Sequence, residues 1–162
     1  MRIVMWMSEV LPNHVCCRQV IHDSGLKTKR STVVSYLAGL IRAMNFYRNP
    51  ANRTRVLDIA AKWIPTASLS LLAQELFPNP KTSEAPRTTL SVDLNRAGVV
   101  EYINAMRGMQ AIDAERERLV LRKIDASLLT DAYQALGLSA SDARTCVDQG
   151  FDKCRAAGAV IK

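Results

Sequence analysis

The sequence predicts an α/β chain that is mostly helical, with a few short strands followed by about six helices. Three observations lead there. Short apolar segments of strand length lie near the start, at Ile3–Met7 and His14–Ile21. From about Ser31 the apolar residues recur at helical spacing. Asn, Ser and Asp before those runs, with Pro and Gly after them, mark where helices start and stop.

Ile3 to Met7 reads as a short buried strand that begins almost at the first residue. Pro12-Asn13 turns the chain. His14–Ile21 reads as a second strand, with Val15, Cys17, Gln19 and Ile21 on one face. His14, Cys16, Arg18, Val20 and His22 take the other, and Asp23-Ser24-Gly25 ends the element.

The first helix is expected from Ser31 or Thr32, buried along Val33, Val34, Leu37, Leu40, Ile41, Met44 and Tyr47. Pro50 stops it, because the residue before proline avoids helical geometry. Asn49 then caps a second helix with Pro50 at its first position, lined by Val56, Leu57, Ala60, Ala61 and Ile64. After Pro65, Thr66 opens a third helix through Leu69, Leu72, Leu76 and Phe77. A polar loop follows from Pro78 to about Thr88, then a short strand or extended segment at Thr89–Asp93. Asn95 caps a helix with Val99, Val100, Ile103 and Met106 inward, and Ile112 to Ile124 has amphipathic spacing. Asp125 or Ser127 starts a helix that stops at Gly137. Ser139 or Ser141 starts the last, carrying Cys146, Val147, Phe151 and Cys154.

The 162 residues suit one domain or a piece of one. A hydrophobic fraction of 48% with 23% charged excludes a wholly disordered chain, and no apolar run reaches the ~20 residues that cross a bilayer. Lys and Arg number 22 against 15 Asp and Glu, a net charge of +7 that favours anionic partners. The positives are scattered, and Arg116, Arg118, Arg122 and Lys123 alternate with Glu115 and Glu117 as on a solvated helix face. With no basic stripe interleaved with aromatics, no nucleic-acid partner is expected.

Four cysteines are too few for a disulfide scaffold in a chain of this length. On one continuous helix Cys146 and Cys154 would stand ~12 Å apart, so both are expected to be small core residues. His14, Cys16, Cys17 and His22 have the chemistry of a zinc set. An extended strand would separate the two histidines by ~26 Å, so no metal is expected there. Phosphate-binding glycine loops, a Gly-x-Ser-x-Gly elbow and His-Glu-x-x-His are absent, which counts against an enzyme, and no cofactor is expected.

The order of motifs resembles that of solute-binding proteins of ABC importers, of the nitrate, sulfonate and taurine type. The resemblance rests on Cys16-Cys17-Arg18-Gln19 followed by the helix Val33–Ala43, then the Asn49-Pro50-Ala51 step. It continues through Leu90–Asp93 running into Val99–Ile103, and through Asp125-Ala126-Ser127-Leu128. It covers about residues 1 to 136, and the segment from Ser139 onward lies outside it.

The resemblance implies a periplasmic-binding type II fold, of which this chain would be the C-terminal half, as in a truncated or split protein. Residues 1–22 would form the end of the second lobe and the interlobe crossing strands. Residues 23–137 would be the C-terminal helical part of the first lobe, and 138–162 a C-terminal helix extension. It also implies a non-catalytic periplasmic protein, peripheral to the membrane, that closes on a small anionic or polar organic ligand and docks on ABC permease subunits. No signal peptide is visible in the chain: Met1–Glu9 has one positive charge and a short apolar stretch.

Arg18 is the foremost candidate ligand residue, since a guanidinium offers paired donors to an anion. Cys16 shares its strand face, and Glu9 and His14 lie near the intervening loop. An arginine in a surface ion pair and solvated loop residues are the alternative readings. A related branch of the superfamily makes the thiamine pyrimidine and carries a denser cysteine cluster than Cys16-Cys17. A helical interaction module using Val33, Leu37, Leu40 and Met44 is a further alternative, against a plain core stripe.

Overall fold

The computed structural model describes residues 19–79, 90–156 and 158. The strand expected at Ile3–Met7, most of the His14–Ile21 strand, most of the polar loop and Thr89 lie outside those residues.

Among the described residues the chain is all helical and contains no strand, which corrects the α/β expectation and with it the partial type II binding fold. Eight α-helices follow in order: α1 Asp23–Arg48, α2 Arg53–Trp63, α3 Leu69–Leu76, α4 Arg96–Gly108, α5 Ala114–Arg122, α6 Ser127–Ala135, α7 Ala140–Gln149 and α8 Phe151–Ala156. A 3-10 turn, Pro50–Asn52, joins α1 to α2.

The first correction has a local cause. Asp23-Ser24-Gly25 opens a helix here instead of ending a strand. His22, in extended geometry, caps it: Nδ1 accepts the backbone N–H of Ser24 at 3.3 Å and lies 2.8 Å from the Ser24 hydroxyl. Asp23 places a negative charge in the first turn, where the helix dipole favours it, and pairs with Lys123. Residues 19–22 form no strand, and Val20 is 92% exposed. The helix departs from regular geometry at Lys29 (φ −129°, ψ 25°), two residues before the start the sequence predicts at Ser31.

Of the two readings of Thr89–Asp93, the strand is not formed over its described residues, Leu90–Asp93. The segment's polar backbone atoms bind side chains where a strand would bind a neighbouring strand. Arg48 Nη2 donates to the Leu90 carbonyl at 3.1 Å, and the Asp93 N–H donates to Ser91 Oγ at 2.9 Å. Val92 packs on the core from this segment.

The core lies where α1 runs along α6, with α7 and α8 closing the open side. Ala38, Ile41 and Met44 come from α1, and Leu129, Ala132 and Tyr133 from α6, with Leu136 just beyond it. Ala143 and Cys146 come from α7, and Phe151 and Cys154 from α8. Burying each large apolar side chain contributes roughly 1.5–3 kcal/mol, and Ile41 and Phe151 are among the most fully buried in this core. Arg30 fastens α1 to α6 at the rim: Nε and Nη2 donate to one Asp131 oxygen at 3.2 and 2.6 Å, and Nη2 also reaches Ser127 Oγ at 2.9 Å.

The last helix of the sequence reading is two helices. Gly150 (φ 90°, ψ 159°) takes a backbone geometry reserved for glycine and folds α8 back beside α7. Cys146 and Cys154 are thereby 4.9 Å apart at Cα and form a disulfide, where a straight helix would have kept them apart. Residues 140–156 thus share one core with α1 and α6.

The remaining helices make two pairs. Ser68 Oγ accepts the Leu71 N–H at 3.2 Å to start α3, which lies against α2. The Tyr47 hydroxyl donates to the Leu76 carbonyl and its ring meets Phe77 at 5.4 Å, tying α3 to the end of α1. Asn95 caps α4 as expected, its Oδ1 accepting the Gly98 N–H at 3.2 Å. Asp113 caps α5 by accepting the Arg116 N–H at 2.8 Å, and the Arg107–Glu117 pair at 3.1 Å joins the two helices.

Candidate functional site

Glu9, His14, Cys16 and Arg18, the ligand residues expected from the sequence, lie outside the described residues. His22, from the zinc set weighed in the sequence, is described, and its Nδ1 serves as a helix cap. The described residues contain no group of three or more His, Cys, Asp or Glu side chains able to hold a metal ion.

Two surfaces stand out from the bundle. The first is apolar. The sequence expects Val56, Leu57, Ala60, Ala61 and Ile64 to be the buried side of α2, yet no residue of α2 is fully buried. The first four are half-buried, while Ile64 is exposed. Ile59, Trp63, Leu69 and Leu71 add further apolar area in water, with Trp63 83% exposed. Ile59 and Trp63 stand one helical turn apart, so they share a face. The stripe Val33, Leu37, Leu40 and Met44 behaves differently: Met44 is buried and Leu37 packs on the core. Val33 and Leu40 of that stripe are half-buried.

The second surface is polar and concave. An open cleft of about 420 Å³ lies between the C-terminal half of α1, the 3-10 turn and α8, lined by Arg42, Asn45, Phe46, Asn49, Asn52 and Arg155. The chain fixes this wall by local bonds. Asn49 ends α1, and its Oδ1 accepts the Ala51 N–H at 3.1 Å, which orients the carboxamide. Asn52 Nδ2 donates to the Phe46 carbonyl at 2.9 Å. Arg155 comes from the other side, with its guanidinium 5.7 Å from the centroid of the Phe151 ring. Asp152, on the same short helix, pairs with Arg48 at 3.1 Å.

A smaller hollow of about 290 Å³ sits at the α4–α5 corner, among Arg107, Gln110, Ala111, Ile112, Asp113 and Arg116. Its charges already serve the corner. Arg107 pairs with Glu117 and donates to the Ile112 carbonyl at 3.4 Å, while Asp113 accepts the Arg116 N–H. That backbone bond holds the Asp113 carboxyl below its usual range.

The sequence reading missed Arg42 and Arg155. Arg42 is outside the apolar stripe of its helix and Arg155 carries no motif; only the reversal at Gly150 puts them on one cleft. No family model, curated protein or solved structure matches the chain.

Proposed function

We propose that the chain is a helical part of the solute-binding component of an ABC importer, serving a small anionic or polar organic solute without catalysis. The observation that supports this reading is the order of its helix starts. The Asn49-Pro50 step opens the turn into α2, Asn95 caps α4, and Asp125 Oδ1 accepts the Ser127 N–H at 2.8 Å where α6 begins. The Asn49-Pro50 step and Asp125–Ser127 are two of the phrases on which the resemblance to nitrate, sulfonate and taurine binders rests, and Asn95 starts the helix that carries a third, Val99–Ile103. In this role the chain works in the periplasm and meets permease subunits at the membrane surface; no helix of the described residues is long and apolar enough to cross a membrane itself. Uptake tests the reading. Deleting the gene should abolish import of one labelled compound among nitrate, taurine and alkyl sulfonates, with recovery on re-expression. Unchanged uptake of all three overturns it.

The exposed α2–α3 face favours a second reading, a helical protein-interaction module. Its test is the same deletion strain complemented by Trp63→Ala. Under the module reading this variant loses its protein partners in crosslinking while solute uptake is never affected, even by the deletion.

A further inference from the structure

We infer that the corner joining α2 to α3 docks on an anionic lipid surface, with Trp63, Ile64 and Leu69 entering the headgroup layer and Arg55 and Lys62 facing the lipid phosphates.

The corner stands clear of the bundle. Every residue from Lys62 to Thr66 is exposed, and so is every residue from Ser68 to Leu71. Trp63 is 83% exposed, Leu69 56% and Ile64 49%. Apolar area grouped like this is unfavourable in water and gains only where an apolar surface meets it. The spacing of Arg55, Ile59, Lys62 and Trp63 puts all four on one face of α2, turned away from the half-buried Leu57 and Ala61.

Charge points to the occupant. Residues 59 to 74 contain no Asp or Glu. Asp58 is the acidic residue of α2, set against the basic Arg53, Arg55 and Lys62. Arg53 lies over the Phe77 ring, while Arg55 and Lys62 form no ion pair with a described residue. A protein partner would have to bring its own acidic rim to this face, whereas an anionic bilayer offers negative charge and apolar depth together. The amphipathic indole of Trp63 suits the headgroup level, and the long stem of Lys62 lets its ammonium stay with the phosphates. At 11 and 8 residues, α2 and α3 can lie on such a surface but not span it. The inference goes beyond the importer reading and does not depend on it; it assigns to lipid the face that the interaction-module reading gives to a protein.

Co-sedimentation of the full chain with phosphatidylcholine vesicles, with and without phosphatidylglycerol, tests it. Binding is expected to be at least about tenfold stronger with the anionic lipid and to weaken as salt rises. Trp63→Ala should weaken it at least about tenfold, and Arg55→Gln and Lys62→Gln about fivefold each. Arg118→Gln, at an exposed position of α5, should change it less than about twofold. In a Trp6→Phe chain Trp63 is the sole tryptophan, and its emission should move to shorter wavelength on the anionic vesicles. Circular dichroism checks that each variant stays folded. No preference for the anionic lipid, unchanged Trp63 emission, or equal losses in the three basic-residue variants overturns the inference. Absence of vesicle binding overturns it too, and leaves the face to a protein partner or, where Trp63 emission shifts with protein concentration alone, to a second copy of the chain.

Discussion

Asp93 accepts the backbone N–H of Phe151 at 2.7 Å across 58 residues of sequence, and so caps α8 from outside that helix. The residue in the capping position itself, Gly150, has no side chain to do this. A Cβ there would meet Asp93 Oδ2 at 3.1 Å, so the glycine and the distant carboxylate form one device. Removing an N-terminal cap costs roughly 0.5–2 kcal/mol. Asp93→Ala should lower unfolding stability by about 1–2 kcal/mol, read from urea denaturation, and Asp93→Asn should recover much of it. No loss in the alanine variant would show that the bond contributes nothing.

Gly150→Ala tests the other half of the pair. At φ 90° and ψ 159° a side chain brings backbone strain of order 1–3 kcal/mol, and the new Cβ crowds Asp93 as well. The expected outcome is a loss of about 2 kcal/mol or more. Gly39 lies in the middle of α1, where an added Cβ would meet nothing within 4 Å, and there Gly39→Ala should stabilise by up to ~1 kcal/mol. The opposite signs at two glycines are what equilibrium unfolding of both variants checks.

The Cys146–Cys154 bridge closes a short loop, eight residues by sequence separation. In the chain-entropy account, a loop of that size stabilises by about 2–3 kcal/mol. Both half-cystines are buried among Tyr133, Phe151 and Leu136, so a Cys146→Ala, Cys154→Ala double variant also loses packing. Its midpoint in urea should fall clearly below that of the oxidised protein, and adding a reductant should no longer change it. Mass spectrometry of the native chain should show this pair linked.

Much of this fold is legible in the residues. Asn49-Pro50, Asn95 and Ser139 announce helix starts by chemistry that acts within three residues, and each does so in the structure, whereas the helix expected from Thr66 starts at Leu69 under a Ser68 cap and the sequence reading misses the Asp113 cap. The stripe Val34, Leu37, Ile41, Met44 and Tyr47 reaches the core because its period is that of the helix. What escaped is what depends on distant partners. Asp23-Ser24-Gly25 suits a turn or a helix start equally, and only the cap from His22 and the contact with Lys123 decide it. Leu90–Asp93 has strand-like composition but directs its backbone bonds to side chains. The disulfide and the Arg42–Arg155 cleft both require the reversal at Gly150, which periodicity reads straight through. The sequence-derived candidates Arg18, Cys16, His14 and Glu9 belong to residues outside the described fold.

Stability should fall at both ends of the pH scale, for different groups. The bond from Lys123 depresses the Asp23 carboxyl, and the Ser127 side-chain hydrogen bond depresses that of Asp125. A carboxyl lowered in the folded state favours folding above its unfolded value, about 3.9, and loses that contribution as pH falls through the folded value. Burial raises the hydroxyls of Tyr133 and Tyr47. A raised tyrosine favours folding below its unfolded value of about 10 and loses that contribution as pH climbs through the folded value. Thermal midpoints measured from pH 2 to 11 should show a plateau between roughly 5 and 9, with losses beginning below about 4 and above about 10. A midpoint still rising as pH drops below 4 would contradict the carboxylate assignment.

Tyr133 supplies the sharpest single test of the core. It is fully buried on α6, and its hydroxyl has no hydrogen-bond partner among the described residues. A buried, unpaired hydroxyl carries a desolvation penalty of about 1–3 kcal/mol. The ring fills space between α1, α7 and α8, so the ring must stay and only the oxygen is dispensable. Tyr133→Phe should therefore leave stability unchanged or raise it by up to ~1 kcal/mol, whereas Tyr133→Ala should lower it by roughly 3–5 kcal/mol. Denaturant unfolding of the two variants separates the oxygen from the ring. A loss above about 1 kcal/mol in the phenylalanine variant would mean that the hydroxyl has a partner and belongs to a working polar contact.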